Sequence, residues 1–544
     1  MFSGLSEELI VKISEGRKEP SWLLKSRLKA YQEFMSTPLE EQLFTKYVDF
    51  LKGIDLSDFK IGSDDRTTKQ EPDKNKTFLQ CDTKAVVSNV QDSLKNQGLI
   101  VEDIGTAVRE HPEIVRPSLT KRYEKRDKFT ALSDALFTSG LFIHVPDDLV
   151  IGEVFRAMIY LESSGISVFN RSIISIGNRS KLNLLIELYS SKGSASLFGS
   201  SLDLIAGEES RLSLSEIQLF DSNVIAFLNT RLLAGINAKM DLATAYFGGK
   251  VIRSRSDSIL DGNGSEIEDL KIIVGSGNER YDLGTSILHR GIHTNGVVDL
   301  KAVMRDRSII TLKGMNKIEE QARNTNTYLG GHAILVGNKA RANIIPGLEI
   351  DTNEVKAKHA AAVAQMDEEQ VFYLKSRGLS RDNAIRLIVA GFLESIVRKI
   401  SIDGVQDQIR EIIDERWDGI TERIDKIERK EVNQEDRGEE FVKVATLTDV
   451  PEGSMLGIDV VDEHLIVSNI GGKIYASSGL CTHEVTDLSR GFLGDKTVTC
   501  PLHLSQFDLE TGEALNPPAD EALKTYSVMI KGSDIMVKIK RSSS

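Results

Sequence analysis

Cysteine is scarce in this sequence: only Cys81, Cys481 and Cys500 occur among 544 residues. Three cysteines are too few for the disulfide framework of a secreted protein, and they suit a reducing compartment. The N-terminal stretch MFSGLSEELIVKI lacks the basic and then apolar layout of a signal peptide, and no apolar run is long enough to span a bilayer. The sequence therefore predicts a cytoplasmic protein with no membrane segment.

An excess of positive charge is also missing. The formal net charge is -13, and no long run of Lys or Arg interrupts it, so a nucleic-acid partner is not expected. The phosphate-binding pattern G-x-x-x-x-G-K-[ST] is absent, because the two GGK stretches are followed by Val251 and Ile474. Any nucleotide hydrolysis must therefore come from a partner.

Two or three folded units are expected, because 544 residues exceed one hydrophobic core. Residues 1–145 are predicted to be a helical region, since SEELIVKISEG places apolar residues at helical spacing after a Ser N-cap and PSWLLKSRLKAYQEFM repeats the pattern after Pro20. Residues 146–366 follow a period of two and are punctuated by Gly, Asn and Ser. That stretch predicts a mainly β fold as a sandwich, a barrel or a β-solenoid, and its length favours the solenoid.

The helical period returns in residues 367–429, the predicted C-terminal helical region. There Ser380 can cap a helix, and one apolar face follows it. That face consists of Ile385, Ile388, Phe392, Ile396 and Ile400. Residues 430–439 are polar and without periodicity, so they predict a linker, and a separate small antiparallel-β domain is expected at 440–544.

The small domain carries two paired motifs of metal-ligand type. Cys481 and His483 form Cys-x-His, and Cys500 and His503 form Cys-x-x-His. In a Rieske-type [2Fe-2S] cluster two thiolates bind one iron and two imidazoles bind the other, so each motif supplies one ligand of each kind. A structural zinc ion could be held by the same four side chains.

The sequence around these ligands closely resembles that of Rieske ferredoxins over residues 441–540, above all in CPLH and FDLETGEALNPPA. The resemblance implies that the four side chains bind the irons of a cluster and not a zinc ion. It also shows departures, because the usual Gly after the second His is Leu504 here. High-potential Rieske proteins resemble one another in an extra Cys in each loop and in a Ser and a Tyr near the cluster. This chain keeps the Ser as Ser505, but it has Leu502 and no partner Cys, and Phe507 replaces the Tyr. With fewer donors, a potential at the low end of the Rieske range is expected.

The region before the linker resembles the SufB/SufD family of cluster-assembly scaffold proteins, in PGLEI, EVKAKHAAAV and DEEQVFYLKSRGL. The likeness runs from about residue 5 to 400. It implies a right-handed parallel β-helix core with helical N- and C-terminal flanks, and a protein that is not an enzyme.

Within that family the chain resembles the SufD-type subunit, because ARNTNTYLGG lacks the SufB-type Cys and Ala360 follows His359. The N-terminal segment resembles SufB-type starts instead. The SufD resemblance implies that His359 meets a SufB-type Cys and helps hold the nascent cluster, and a neutral imidazole is a good iron ligand. A lone His on a strand can equally be a packed or solvated residue.

The resemblance implies two partners, a SufB-type scaffold subunit and a SufC-type ATPase. The ATPase would dock on the C-terminal helical region, where Ile388, Phe392 and Ile396 offer an apolar face. The chain is then a Suf scaffold subunit with its own one-electron carrier. The alternatives are a Rieske-type electron-transfer component of an oxygenase and, less compatible with the Suf-like motifs, a β-helix that acts on polysaccharide.

The remaining candidates for chemistry are expected to have no chemical role. His289, His293 and His332 follow no metal-ligand spacing, so they are expected in turns or on the surface. Cys81 has no His or Cys near it in sequence and is expected to be an inert, small apolar side chain.

Overall fold

The computed structural model describes residues 5–38, 60–61, 77–87, 90–120, 127–418, 440–460, 463–483 and 486–539. The predicted linker at 430–439 lies outside these ranges. The chain divides into two compact units, the first made of Met1–Asp367 and Val389–Ile424 and the second of Glu368–Ile388 and Asp425–Ser544. Within the described ranges, no helix has the length and apolar character needed to cross a membrane.

The first unit consists largely of strands. They are β1 (Lys60–Ile61), β2 (Phe78–Cys81), β3 (Lys84–Val87), β4 (Ile100–Asp103), β5 (Leu141–Val145), β6 (Val150–Leu161), β7 (Ile166–Ile176), β8 (Lys181–Ser190), β9 (Leu197–Ala206), β10 (Arg211–Phe220), β11 (Ile225–Ala234), β12 (Lys239–Gly248), β13 (Val251–Leu260), β14 (Glu266–Gly275), β15 (Arg280–His289), β16 (Asn295–Met304), β17 (Ile309–Ile318), β18 (Thr325–Leu335), β19 (Arg341–Ile350) and β20 (Val355–Gln365).

These strands form a β-solenoid of two sheets. From β5 to β19 the odd-numbered strands pair in one sheet, and from β6 to β20 the even-numbered strands pair in the other, all in parallel. Equivalent positions of successive coils therefore stack. Leu212 lies opposite Leu182 on one side and Met240 on the other, and all three are buried. The mainly β solenoid that the sequence favoured is confirmed, and it leaves no room for a sandwich or a barrel.

Helices flank the solenoid on its N-terminal side. They are α1 (Glu7–Gly16), α2 (Ser21–Ser36), α3 (Asp92–Lys95), α4 (Ile104–Glu110), α5 (Pro112–Thr120) and α6 (Lys128–Leu136). The predicted cap of α1 is present, because the Ser6 hydroxyl accepts a hydrogen bond from the Leu9 N–H at 3.2 Å. The helical prediction for residues 1–145 is wrong for β1 to β5. These short strands pair with one another or with strands of the solenoid, and tertiary pairing of this kind overrides local pattern.

Buried ion pairs fasten α6 to the odd-numbered sheet. Asp203 on β9 accepts hydrogen bonds from Arg171 on β7 and, at 2.7 Å, from Arg231 on β11. Arg171 also pairs with Asp134 of α6, at 3.1 Å. Burial acts to raise the pKa of Asp203, but the two guanidinium groups outweigh it and hold that pKa below its usual value. The network is stable only as a whole, because any single charge left alone there would be uncompensated.

Three helices follow the solenoid in the described part of the chain. They are α7 (Glu368–Ser376), α8 (Arg381–Val397) and α9 (Val405–Asp418). Ser380 caps α8 as predicted, because its hydroxyl accepts from the Asn383 N–H at 3.2 Å. In the first unit, Leu393 and Ile396 of α8 are buried, and Arg416 of α9 pairs with Glu279 at 2.7 Å.

The small domain of the second unit is built from short antiparallel strands. They are β21 (Glu440–Thr446), β22 (Ser454–Val460), β23 (Glu463–Ile470), β24 (Lys473–Ser478), β25 (Phe492–Leu493), β26 (Thr497–Thr499), β27 (Gln506–Asp508), β28 (Thr525–Tyr526), β29 (Val528–Lys531) and β30 (Asp534–Ile539). Their sheets are β21-β30-β29, β22-β23-β24-β28 and β25-β26-β27. An apolar cluster that includes Ile466, Leu488, Val498 and Phe507 supports the loops described next.

Candidate metal centre

Two loops of the small domain carry the four candidate ligands. The first ligand loop follows β24 and holds Cys481 and His483, and the second connects β26 to β27 and holds Cys500 and His503. Each loop is closed by its own backbone next to the cysteine. The Cys481 N–H donates to the Thr486 carbonyl and the Cys500 N–H to the Ser505 carbonyl, both at 2.8 Å.

The structure places the thiols inside and the imidazoles outside. Cys481 and Cys500 are 4% and 1% exposed and form no disulfide. His483 and His503 are exposed, and their ring centroids lie 4.9 Å apart. Burial raises the pKa of the Cys500 thiol, and the neighbouring Cys481 adds to this, although the backbone N–H groups of Leu502 and His503 oppose it. Such thiols become thiolates when a metal replaces their protons.

The grouping of the four candidate ligands fits a cluster of two irons. Their division into a buried thiol pair and an exposed imidazole pair matches a mixed-ligand [2Fe-2S] cluster.

The second ligand loop keeps a left-handed turn without the usual glycine. Leu504 has φ +61°, a region that disfavours every residue with a Cβ. Asn516 holds this turn from outside, because its side-chain amide donates to the Leu504 carbonyl at 3.2 Å and its oxygen accepts from the Gln506 N–H. Leu504, which replaces the usual glycine, therefore keeps the left-handed turn of this loop, but at a cost in stability.

Replacing Leu504 by glycine is expected to raise the free energy of unfolding of the small domain by about 1 kcal/mol. A left-handed conformation costs a non-glycine residue about 1–2 kcal/mol, and part of that gain is lost to the greater freedom of glycine in the unfolded chain. Urea unfolding of the cluster-loaded chain, followed by visible absorbance, measures the change. Leu515→Gly is the control, because Leu515 is equally exposed without a positive φ. A stability of Leu504→Gly at or below that of the unsubstituted chain would show that the turn is not strained.

The retained Ser505 and the departure at Phe507 lie in the core next to this loop. Ser505 is fully buried, and its hydroxyl accepts from the Ala519 N–H at 3.1 Å. Phe507 is also fully buried and brings no hydroxyl donor. The low reduction potential inferred from these residues stays a prediction.

Comparison with known proteins addresses both parts of the chain. The family model for the "SUF system FeS cluster assembly, SufBD core domain" matches residues 159–392. The model for the "Rieske [2Fe-2S] domain" matches residues 440–527, a range that contains all four candidate ligands. This chain joins a SufBD core domain to a Rieske domain. Its cofactor is a Rieske-type [2Fe-2S] cluster, which when bound takes up or gives off one electron.

Relatives match most of the chain. The iron-sulfur cluster assembly protein SufD of Bacillus subtilis is 28% identical over 427 residues, which cover 76% of this chain and 98% of that protein. The SufB protein of the same organism is 24% identical over 423 residues, covering 74% and 90%. Among solved structures, the ferredoxin of carbazole 1,9a-dioxygenase from Nocardioides aromaticivorans IC177 is 32% identical, covers 18% of this chain and 98% of its own, and has a TM-score of 0.18.

His359 lies in the SufBD core domain, on the last strand of the even-numbered sheet. It is opposite Leu329 of β18, and its side chain is exposed. Its proposed role in holding a nascent cluster stays a prediction.

The structure separates the three residues of the predicted ATPase-docking face. Ile396 is fully buried in the first unit. Phe392 is half-buried, with the Lys301 ammonium 4.4 Å from its ring centroid and hydrogen-bonded to its carbonyl at 2.8 Å. Ile388 is also half-buried. Only Ile388 and Phe392 therefore retain surface for a partner.

The expected turn or surface position is wrong for His289, which ends β15 and is fully buried. It lies between the hydroxyls of Thr294 and Thr327, at 2.8 and 3.1 Å, and burial lowers its pKa to about 4. His293 sits in a turn with φ +58°. The Cys81 thiol is buried against Glu162. Burial raises the pKa of this thiol, and the Glu162 carboxylate raises it further.

Sequence reasoning missed two residues near the ligand loops, Asn516 and His464. Asn516 lies within FDLETGEALNPPA, the segment that resembles Rieske ferredoxins. Its position in that segment was the only sequence signal that pointed to a contact with the second ligand loop. His464 lies far from the motif in sequence and gave no signal.

Proposed function

We propose that this chain is a non-enzymatic, SufD-type scaffold subunit of the Suf cluster-assembly complex, and that its Rieske domain is a one-electron carrier for assembly. The observation that carries the proposal is the presence, in one chain, of a SufBD core domain and a four-ligand centre with buried thiols and exposed imidazoles. The sulfur-ligated side of the cluster would be shielded from water. The imidazole side faces solvent, where electrons can enter or leave.

Electron delivery is a chemical requirement of cluster assembly, because persulfide sulfur and ferric iron must be reduced. A carrier in the same chain as the scaffold has an effective concentration on the order of millimolar when the connection is short and flexible. The sequence predicts a linker at residues 430–439, where the composition is polar, and that linker stays a prediction. The cytoplasmic location indicated by the sequence also stays a prediction.

The last coil of the solenoid supports a SufB-type partner. In the described part of the chain, β19 pairs only with β17 and β20 only with β18. Both sheets therefore end in open edges, which proteins normally cover. Exposed apolar side chains stand on these strands, namely Ile345, Ile350 and Val363. A second SufBD-type chain with the same edges could continue both sheets and bury these side chains, and His359 would then lie at the interface.

Val363→Asp is expected to weaken binding of the SufB-type subunit at least tenfold, because a charge would enter an apolar interface. Val150→Asp is the matched control, since Val150 is exposed on β6, near the other end of the same sheet. Analytical ultracentrifugation of each variant with the SufB-type subunit gives both affinities. Equal affinities for the two variants would mean that this edge is not the interface.

The SufC-type ATPase is proposed to dock on the C-terminal helices. Ile388 and Phe392 of α8 are half-buried, and the large apolar side chains of Phe372 and Tyr373 on α7 are exposed. They lie in the segment that the family resemblance assigns to this partner.

An assembly assay tests the electron-carrier role. It contains the SufB-type subunit, the SufC-type ATPase, a sulfur donor, iron and a limiting amount of reductant. A chain whose Rieske domain lacks its cluster through Cys500→Ser should join the complex normally but form new clusters more slowly. Equal rates for the variant and the unsubstituted chain would mean that the Rieske cluster is not the local electron source.

A further inference from the structure

His464 of β23 lies between two carboxylates beside the first ligand loop. Its Nδ1 is 2.5 Å from Asp459 Oδ1, and its Nε2 is 3.0 Å from Asp487 Oδ1. Asp459 is largely exposed, whereas Asp487 is only 20% exposed. The contact with Asp487 is therefore the one that solvent screens less.

The His464 ring packs directly on the backbone that leads into the loop. The Gly479 N–H donates to the His464 carbonyl at 2.8 Å. A Cβ added to Gly479 would lie 2.4 Å from His464 Cδ2, so no larger residue fits there. Gly479 precedes Cys481 by two residues, so the His464 ring lies against the start of the first ligand loop.

Asp487 is fixed at the other end of the same loop. Its backbone pairs with Leu480 in an isolated bridge. Its carboxylate accepts from the Ser489 N–H at 2.9 Å and lies 3.4 Å from Arg490 Nε. His464 thus connects β23 to both ends of the loop, through Gly479 at the start and through Asp487 at the close.

The ring is charged at neutral pH. The contact with Asp487 raises the pKa of His464 to about 9, with burial opposing and Asp459 adding to the rise. The charged groups that face it are Asp459 and Asp487, and Arg490 lies behind Asp487. Two carboxylates are thereby balanced by two cations.

We propose that His464 is a positioning residue for the Rieske cluster. Its cationic ring fixes the first ligand loop through Asp487 and supplies positive charge beneath it, which makes the cluster easier to reduce. The proposal rests on the Rieske assignment and not on the role of this chain in assembly. Reduction adds one electron to the cluster, and a nearby cation stabilises the negative charge that this electron brings.

The reduction potential of the full-length, cluster-loaded chain tests the proposal at pH 7. His464→Gln removes the cation and should make the potential more negative. Lys443→Gln is the control, because it removes one positive charge from an ion pair with Asp534 in the same domain, on the β21-β30-β29 sheet, which carries no ligand loop. Its potential should equal that of the unsubstituted chain. An unchanged or more positive potential in His464→Gln would overturn the proposal.

Asp487→Asn provides an independent arm if His464→Gln fails to retain its cluster. This variant keeps a side-chain oxygen for the Ser489 N–H but removes a negative charge, so its potential should be more positive. Thermal unfolding of the cluster-free chains adds a second readout, in which His464→Gln should lower the midpoint of the small domain more than Lys443→Gln does. A lower unfolding midpoint in His464→Gln, together with unchanged reduction potentials in both His464→Gln and Asp487→Asn, would show that His464 is only a structural residue. That result would refute the proposal.

Discussion

Cys500→Ser is expected to abolish the [2Fe-2S] cluster of the full-length chain, together with its visible colour and its reduced-state EPR signal. The four-ligand centre offers only two thiolates, and a serine hydroxyl does not ionise at neutral pH to replace one of them. Cys500 is 1% exposed, so water or an external thiol has little access to fill the position.

Cys81→Ser is the matched control for this loss. Cys81 is the one cysteine outside the motif and is buried in the first unit against Glu162. Its variant should keep the full spectrum. His503→Cys should keep colour but change the spectrum, because a thiolate replaces an imidazole on one iron. A Cys500→Ser protein with undiminished colour would contradict the ligand assignment.

Asp203→Ala is expected to lower the free energy of unfolding of the first unit by about 3–5 kcal/mol. The substitution removes one of the two carboxylates that Arg171 and Arg231 contact, so that Asp134 alone faces two buried guanidinium groups. Urea unfolding at pH 7 measures the change. Asp148→Ala is the control, because Asp148 and Arg179 form an exposed pair at 2.6 Å, and solvent screens such pairs so that they contribute little to stability. Similar losses in the two variants would show that burial does not decide the value of these pairs.

The pH dependence of this contribution has a definite sign. The folded pKa of Asp203 lies below its unfolded value, so the stabilisation is present at neutral pH and is lost as the pH falls below about 4. The difference between Asp203→Ala and the unsubstituted chain should therefore shrink in acid. A difference that stays constant from pH 7 to pH 3 would contradict an electrostatic origin.

Local patterns predicted the features that are built locally. Ser6 and Ser380 cap the helices that follow them because a cap needs only three consecutive peptide groups. The four candidate ligands could be found for the same reason, since each pair sits within one short loop. The period of two predicted strands, but it carries no information on which strand pairs with which. The family resemblance implied the parallel β-helix, and the structure shows that its strands alternate between two sheets.

Features that depend on contacts between distant segments were missed. β2 and β4 are strands because the first coil of the solenoid pairs with them. The amphipathic pattern of α8 marked Ile396 and Phe392 alike, although only Ile396 is fully buried. An apolar helix face does not show by itself whether it packs on its own domain or binds a partner. His464 meets Asp487 only after β23 lies beside the ligand loop, so neither residue carried a signal by itself.

EPR spectroscopy of the purified full-length chain, combined with iron, sulfide and zinc analysis, tests the central claim most directly. The chain should contain two irons and two sulfides and, after reduction, give a signal with the low average g value of mixed Cys/His ligation. A colourless protein that holds one zinc per chain and gives no signal would contradict it.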